Sequence, residues 1–275
     1  MKMQEKLVIS ERRACGLVGL ARTTLRRVVN EPEGNVALQG RIVDLAYARR
    51  RFGYRRIHDL LRREGVQANH KRIYRLYREA CLSVRKRRRK KLVMLDRPVL
   101  TEASRPNEIW SIDFVMDALS SGRRIKCLTV VDDFTRECLD IAVDYGISGG
   151  YVTNVLDQIA QFRGLPSAIR TDQGPEFTSR VMDRWAYTRG INLKLIAAGK
   201  PTQNAYIERF NGKFRDECLN DHHFNNLAHA RALIAEWRRD YNEDRSHSSL
   251  GRIPPAEFAA RHRLRAGDDA TQRIV

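Results

Sequence analysis

The sequence predicts a mixed α/β domain preceded by a small all-α region. Two observations point there. The first is charge. The 275-residue chain carries a net +18, and residues 1–100 hold 27 Lys+Arg against 9 Asp+Glu, whereas residues 101–275 hold 24 of each. The whole excess is N-terminal, as expected of a nucleic-acid-binding segment joined to a near-neutral globular domain. The second is hydrophobic period. It is helical as far as residue 82, and from residue 108 it becomes short alternating apolar runs interleaved with helices.

Residues 10–30 read as one or two short helices with Ser10 as N-cap, either a DNA-binding fragment or a packing pair. Residues 36–50 are helical in period. A second helix begins at Arg51–Arg56, carries Ile57, Leu60 and Leu61, and ends at Glu64-Gly65. A third runs from its N-cap Asn69 to Arg78. Arg55 and Arg56 on the second helix, and Lys71, Arg72 and Arg75 on the third, are candidate DNA contacts. Seven consecutive cations, Arg85 to Lys91, repel one another unless a polyanion neutralises them, so Arg88 and Arg89 join the DNA-binding candidates. The domains expected are a short helical segment at 1–35, a basic helix-turn-helix region at 36–84, a basic linker at 85–105, the α/β domain at 106–260 and a charged, fraying tail at 261–275.

Within the α/β part, strands are expected at 109–116, 125–132 and 137–143, forming a meander. Helix 151–162, strand 167–171, helix 178–189, strand 192–197 and a helix opened by Pro201 follow, then a long helix at 227–241. Three strands followed by alternating helices and strands fit a ribonuclease-H-like fold.

Composition excludes other classes. No apolar run approaches the roughly 20 residues that a membrane helix needs, and the N-terminus has no signal-peptide core. Five cysteines, an odd number with no C-x-x-C pair, read as reduced thiols of a cytosolic protein.

Three acids are the candidate chemistry. Asp113 lies in the strand Ile109–Phe114, and Asp172 stands where a short strand meets the loop Gln173-Gly174. Glu208 lies on the helix after Pro201, where Asn204, Glu208, Asn211 and Arg215 fall on one face. Two strand-end Asp and one helical Glu can converge on a divalent cation, and hard oxygen ligands suit Mg²⁺. Asn204 and Arg215 are candidate phosphate contacts on that face. Glu176 either reaches DNA or caps the helix after it. Asp132 and Asp133, in a hairpin turn, read as structural.

These residues carry a resemblance. Trp110-Ser111-Ile112-Asp113, Val131-Asp132-Asp133-Phe134-Thr135-Arg136, Thr171-Asp172-Gln173-Gly174-Pro175-Glu176-Phe177 and Asn204-Ala205-Tyr206-Ile207-Glu208-Arg209-Phe210-Asn211 stand in order, followed by Tyr241-Asn242 with Arg245, His247, Ser248, Leu250, Pro255 and Phe258. Over nearly the whole chain this resembles DDE-type transposases with a retroviral-integrase-like core, and more narrowly the OrfB product of the IS-three insertion-sequence family. The family often has Pro where this chain has Ser246 and Thr where it has Pro254; neither change touches the three acids.

The resemblance implies a polynucleotidyl transferase that cleaves and joins the ends of its own element. Asp113, Asp172 and Glu208 would be both catalytic residues and ligands of two Mg²⁺, with Mn²⁺ able to substitute. Its partners would be double-stranded DNA (terminal inverted repeats and target), further copies of itself on DNA, and an upstream-frame OrfA protein or fusion. It implies no membrane, and a bacterial cytoplasmic, nucleoid-associated location. Arg245 and His247 would be DNA contacts or packing residues. The alternatives are a DNA-binding regulator with an inactive core and a ribonuclease-H-like nuclease.

Overall fold

A computed structural model of the chain describes residues 9–25, 34–84, 102–196 and 204–272. The cationic run 85–91, with Arg88 and Arg89, and the segment Lys200–Gln203 with the expected Pro201 helix start lie outside the described residues.

The N-terminal region holds α1 (Glu11–Val18), α2 (Arg22–Leu25), α3 (Asn35–Ala48), α4 (Tyr54–Arg63) and α5 (His70–Glu79). Ser10 accepts a bond from the Arg13 N–H, and Gly19, at φ 66°, closes α1 in the left-handed conformation that glycine adopts without strain. Asn69 caps α5 through the Lys71 N–H at 2.9 Å. Ile42, Ile57, Leu61, Ile73 and Leu76 are the buried centre of α3–α5.

The α/β part is one five-stranded sheet of β1 (Ile109–Ala118), β2 (Arg124–Asp132), β3 (Cys138–Asp144), β4 (Ala168–Thr171) and β5 (Asn192–Leu195), in the order β3-β2-β1-β4-β5. β1, β2 and β3 form the expected antiparallel meander, whereas β4 and β5 add in parallel beside β1. α6 (Gly149–Arg163) and α7 (Arg180–Arg189) cover one face of this sheet. α8 (Ala205–Phe214) and α9 (Leu227–Glu243) cover the other.

Alternation along β1 decides which side chain meets which layer. Trp110 and Ile112 enter the core under α6 and α7, whereas Val115 enters the core under α8 and α9. Asp113 shares its parity with Val115 and therefore faces α8.

Two elements differ from the sequence reading. The Glu208 helix changes at Arg215 into a π-helical turn, Arg215–Leu219, that buries Cys218 and Leu219. The tail from residue 261, expected to fray, is instead helical as far as Gln272, as part of α10 (Pro255–Gln272). Pro255 starts this helix where a missing N–H costs little, and Arg261 pairs with Glu257 four residues back at 2.6 Å. All five cysteines are free. Among the described residues no helix is long and apolar enough to cross a membrane.

Candidate active site

Backbone register places the first two acids. In the parallel pair, Ile109, Trp110 and Ser111 of β1 face Ala168, Ile169 and Arg170 of β4. The same offset carried two residues further brings Asp172, the first residue after β4, level with Asp113. Below this pair the sheet is tied by a buried ion pair, Arg170 to Asp133 at 2.6 Å, and by Ser111 donating to Asp133 at 2.6 Å. Asp132 caps the β2–β3 turn by accepting from the Phe134 and Thr135 N–H groups. Asp133 and Asp132 thus hold the scaffold.

Asp113 is half-buried. One carboxylate oxygen accepts from the Phe114 N–H and the other from Asn211 Nδ2, both at 2.8 Å. Thr129, directly across β2, donates to Asn211 Oδ1 at 3.0 Å and so fixes the amide's orientation. Asn211 is one helical turn beyond Glu208, so this bond docks the Glu208 face of α8 over β1. Burial pushes the Asp113 carboxyl up to about 6, and the like charges of Asp172 and Glu208 push the same way. Burial also raises the Glu208 carboxyl. Asp172 is exposed and accepts from the Gly174 N–H at 3.0 Å. A Cβ at Gly174 would stand 3.2 Å from that same carboxylate oxygen, close enough that the Asp172 side chain would have to give by a few tenths of an ångström.

Asp113, midway along β1, therefore lies within electrostatic range of Asp172 and Glu208. In this conformation no three His, Cys, Asp or Glu side chains among the described residues have closed into a ligand set. The donors are nevertheless all hard oxygens, and they lie open to solvent at Asp172 and Glu208. This chemistry fits a hard divalent ion that draws the acids together.

The other candidates are scattered. Asn204 is buried, and its Oδ1 has no hydrogen-bond partner among the described residues. Arg215 is exposed and donates to the Met116 carbonyl at 3.1 Å. Glu176 pairs with Lys126, whose ammonium lies 3.8 Å from the Phe114 ring centroid. Arg55, Lys71 and Arg75 are exposed on α4 and α5. Arg72 bonds Asn35 at 3.0 Å. Arg56 turns toward the core, 3.4 Å from Glu217 of the π turn. Arg245, left open between DNA contact and packing, is buried against the same Glu217. Asn211, which positions Asp113, was visible in the sequence only as one more residue on the Glu208 face.

Comparison with known proteins identifies the scaffold. Residues 36–91 match the family described as HTH-like domain, and residues 103–201 and 189–255 match two described as Integrase core domain. Over 274 residues the chain is 65% identical to the 31.7 kDa protein of insertion element IS407 from Burkholderia multivorans, with 99% of each chain covered. The chain belongs to the IS-three insertion-sequence transposases, as an OrfB-type protein. The transposase is also 60% identical to the 39.2 kDa protein of insertion element IS476 from Xanthomonas euvesicatoria, over 98% of this chain and 78% of that one. It is 27% identical to the transposase for insertion sequence element IS904 from Lactococcus lactis, over 76% and 87% of the two chains. Its fold resembles a chain of the simian T-cell lymphotropic virus intasome, with a TM-score of 0.51 at 16% identity over 70% of this chain and 67% of that one. The transposase is a DNA-transposition protein whose integrase core is of the polynucleotidyl-transferase type.

Proposed function

We propose that Asp113, Asp172 and Glu208 are the catalytic acids of this transposase and together hold two Mg²⁺ ions, which Mn²⁺ can replace. The observation that supports this reading is the shared register of β1 and β4 together with the Asn211 bond. Asp113 on β1 feels the charge of both Asp172, just past the end of neighbouring β4, and Glu208 on α8. Bound metal would supply Lewis-acid activation of a water or a DNA 3′-hydroxyl and would offset charge on the leaving oxygen. The protein's own work is positional. β1 and β4 fix two carboxylates, α8 carries the third, and Asn211 steadies Asp113. The exposed cations Arg55, Lys71 and Arg75 contact the backbone of the element ends, and Arg215 holds a phosphate near the cut. The substrates are terminal inverted repeats and target DNA, met by more than one copy of the chain and by an upstream-frame OrfA protein or fusion in the cytoplasm.

Incubation of the full chain with element-end duplex and Mg²⁺ tests the reading. Cleavage with strand joining is expected, and Asp113→Asn, Asp172→Asn and Glu208→Gln should each abolish both while DNA binding persists. Full joining by any one variant removes that acid from the site. Cleavage without joining would make the protein a nuclease, and binding alone would make it a regulator.

A further inference from the structure

Away from the acids, positive charge concentrates on the flank of α8. Two adjoining hollows, of about 310 and 80 Å³, share Lys213, His247 and Ser249. The larger runs toward Arg55 of the HTH-like region, and the smaller is walled by Arg136, Tyr206 and Arg209. The nearby acids are already engaged. Glu217 takes Arg56 and Arg245, while Asp59 takes Arg252 and Ser246. Lys213, Arg136 and Arg209 have no carboxylate within ion-pair distance among the described residues.

Two polar atoms here are buried with no hydrogen-bond partner among the described residues, Arg136 Nη1 and His247 Nε2. The His247 side chain is 5% exposed, its ring set edge-on to Tyr241 at 4.9 Å, and its backbone N–H donates to Ile253 at 3.1 Å. Arg136 lies 3.5 Å from the Tyr206 ring centroid, on a residue whose φ is +63°. Burial, then Arg245 and Arg56, push the Lys213 amine down to about 7. Burial, then Lys213 and Arg245, push His247 down to about 2. A buried polar atom without a partner is costly, and so is a set of like charges. An anion seated among them would relieve both.

We infer that this cleft binds a backbone phosphate of the DNA strand running from the HTH-like region to the active site, with Arg136, Lys213 and Arg209 as its cations and His247 Nε2 and the Ser249 hydroxyl as its neutral partners. The direction of the strand rests on the proposed catalytic role of Glu208. Lys213 is five residues beyond Glu208, roughly 7.5 Å along the helix axis. That is about the rise of two nucleotides of a DNA strand.

The test uses the full chain carrying Asp113→Asn, without divalent metal, and a 30-base-pair duplex of arbitrary sequence. Binding is followed by fluorescence anisotropy across a KCl series, so neither catalysis nor metal enters the readout. Lys213→Gln, Arg136→Gln and Arg209→Gln should each lower the slope of log K against log[salt] by about one, and Lys213→Arg should restore it. Without DNA, Lys213→Gln should melt no lower than its parent, because it removes a repelled charge. Arg209→Gln, at an exposed position, reports the same loss independently of packing. Inorganic phosphate should raise the melting temperature of the parent but not of the Arg136→Gln, Lys213→Gln double variant. Unchanged slopes in all three Gln variants would overturn the inference. Phosphate protection with unchanged slopes would place a free anion there and overturn the assignment to DNA. A loss of slope beside an inactive triad would leave this site standing and remove only the proposed catalysis.

Discussion

Asn211 sets the behaviour of Asp113. Its amide donates to one carboxylate oxygen, which favours the ionised acid and partly offsets the burial that pushes the group to about 6. Asn211→Ala removes that donor. The acidic limb of the pH–rate profile for strand joining should therefore move to higher pH, with a loss of roughly tenfold in rate near neutrality. A profile that overlays the wild type would show the amide to be dispensable. A second consequence concerns stability without metal. Asp113 titrates near 6 in the folded chain and near 4 when unfolded, so the folded state binds the extra proton between those values. Stability therefore falls as pH rises through that window, by about 2 kcal/mol for this half-buried group. Asp113→Asn lifts this penalty. Metal-free melts should show the variant several degrees above wild type at pH 7.5 and level with it near pH 4.

The π turn after α8 is the element with the widest reach. Its Glu217 receives Arg56 from α4 and Arg245 from the segment after α9, with both guanidiniums within 6 Å of the Phe52 ring centroid. Glu217→Ala would leave two cations facing each other in a largely dry site. A cost of about 3–5 kcal/mol in urea unfolding is expected, and a loss under 1 kcal/mol would show that water already screens the trio.

The sequence did not disclose this element. Arg-Asp-Glu-Cys-Leu carries no local mark distinguishing a π turn from a continued helix. Glu217 and Arg56 lie 161 residues apart and have no periodic signature. The strand that carries Asp113 and the strand end and turn that carry Asp172 were legible because their character is local. The Asn211 bond was half legible: helical period put the amide on the right face, but only the parity of β1 and the position of Thr129 aim it at Asp113. The helical tail was misread because its charge was weighed and its Pro255 start was not.

Across the described residues, the N-terminal arginines and lysines stand in two settings. Arg49, Arg51, Arg56 and Arg63 face Asp240, Asp221, Glu217 and Asp244 of the core, whereas Lys71 is exposed on α5. The two sets should separate in a salt titration of duplex binding. Lys71→Gln should reduce the slope by about one. Arg51→Gln should leave the slope unchanged and speed amide exchange in α4, because it loosens docking and not the grip on DNA. A slope loss of one for Arg51→Gln would place it on the DNA instead.

The arginine seam also bears on how such proteins can recombine. An element that exchanged its first hundred codons would inherit a foreign set of residues opposite Asp221, Glu217, Asp240 and Asp244. A chimera lacking arginine at 49, 51, 56 and 63 would present four acids to a surface that no longer answers them, and its two halves should melt in separate transitions. Restoring those four arginines alone should merge the transitions. The seam, more than either domain, would then limit which halves can be inherited together.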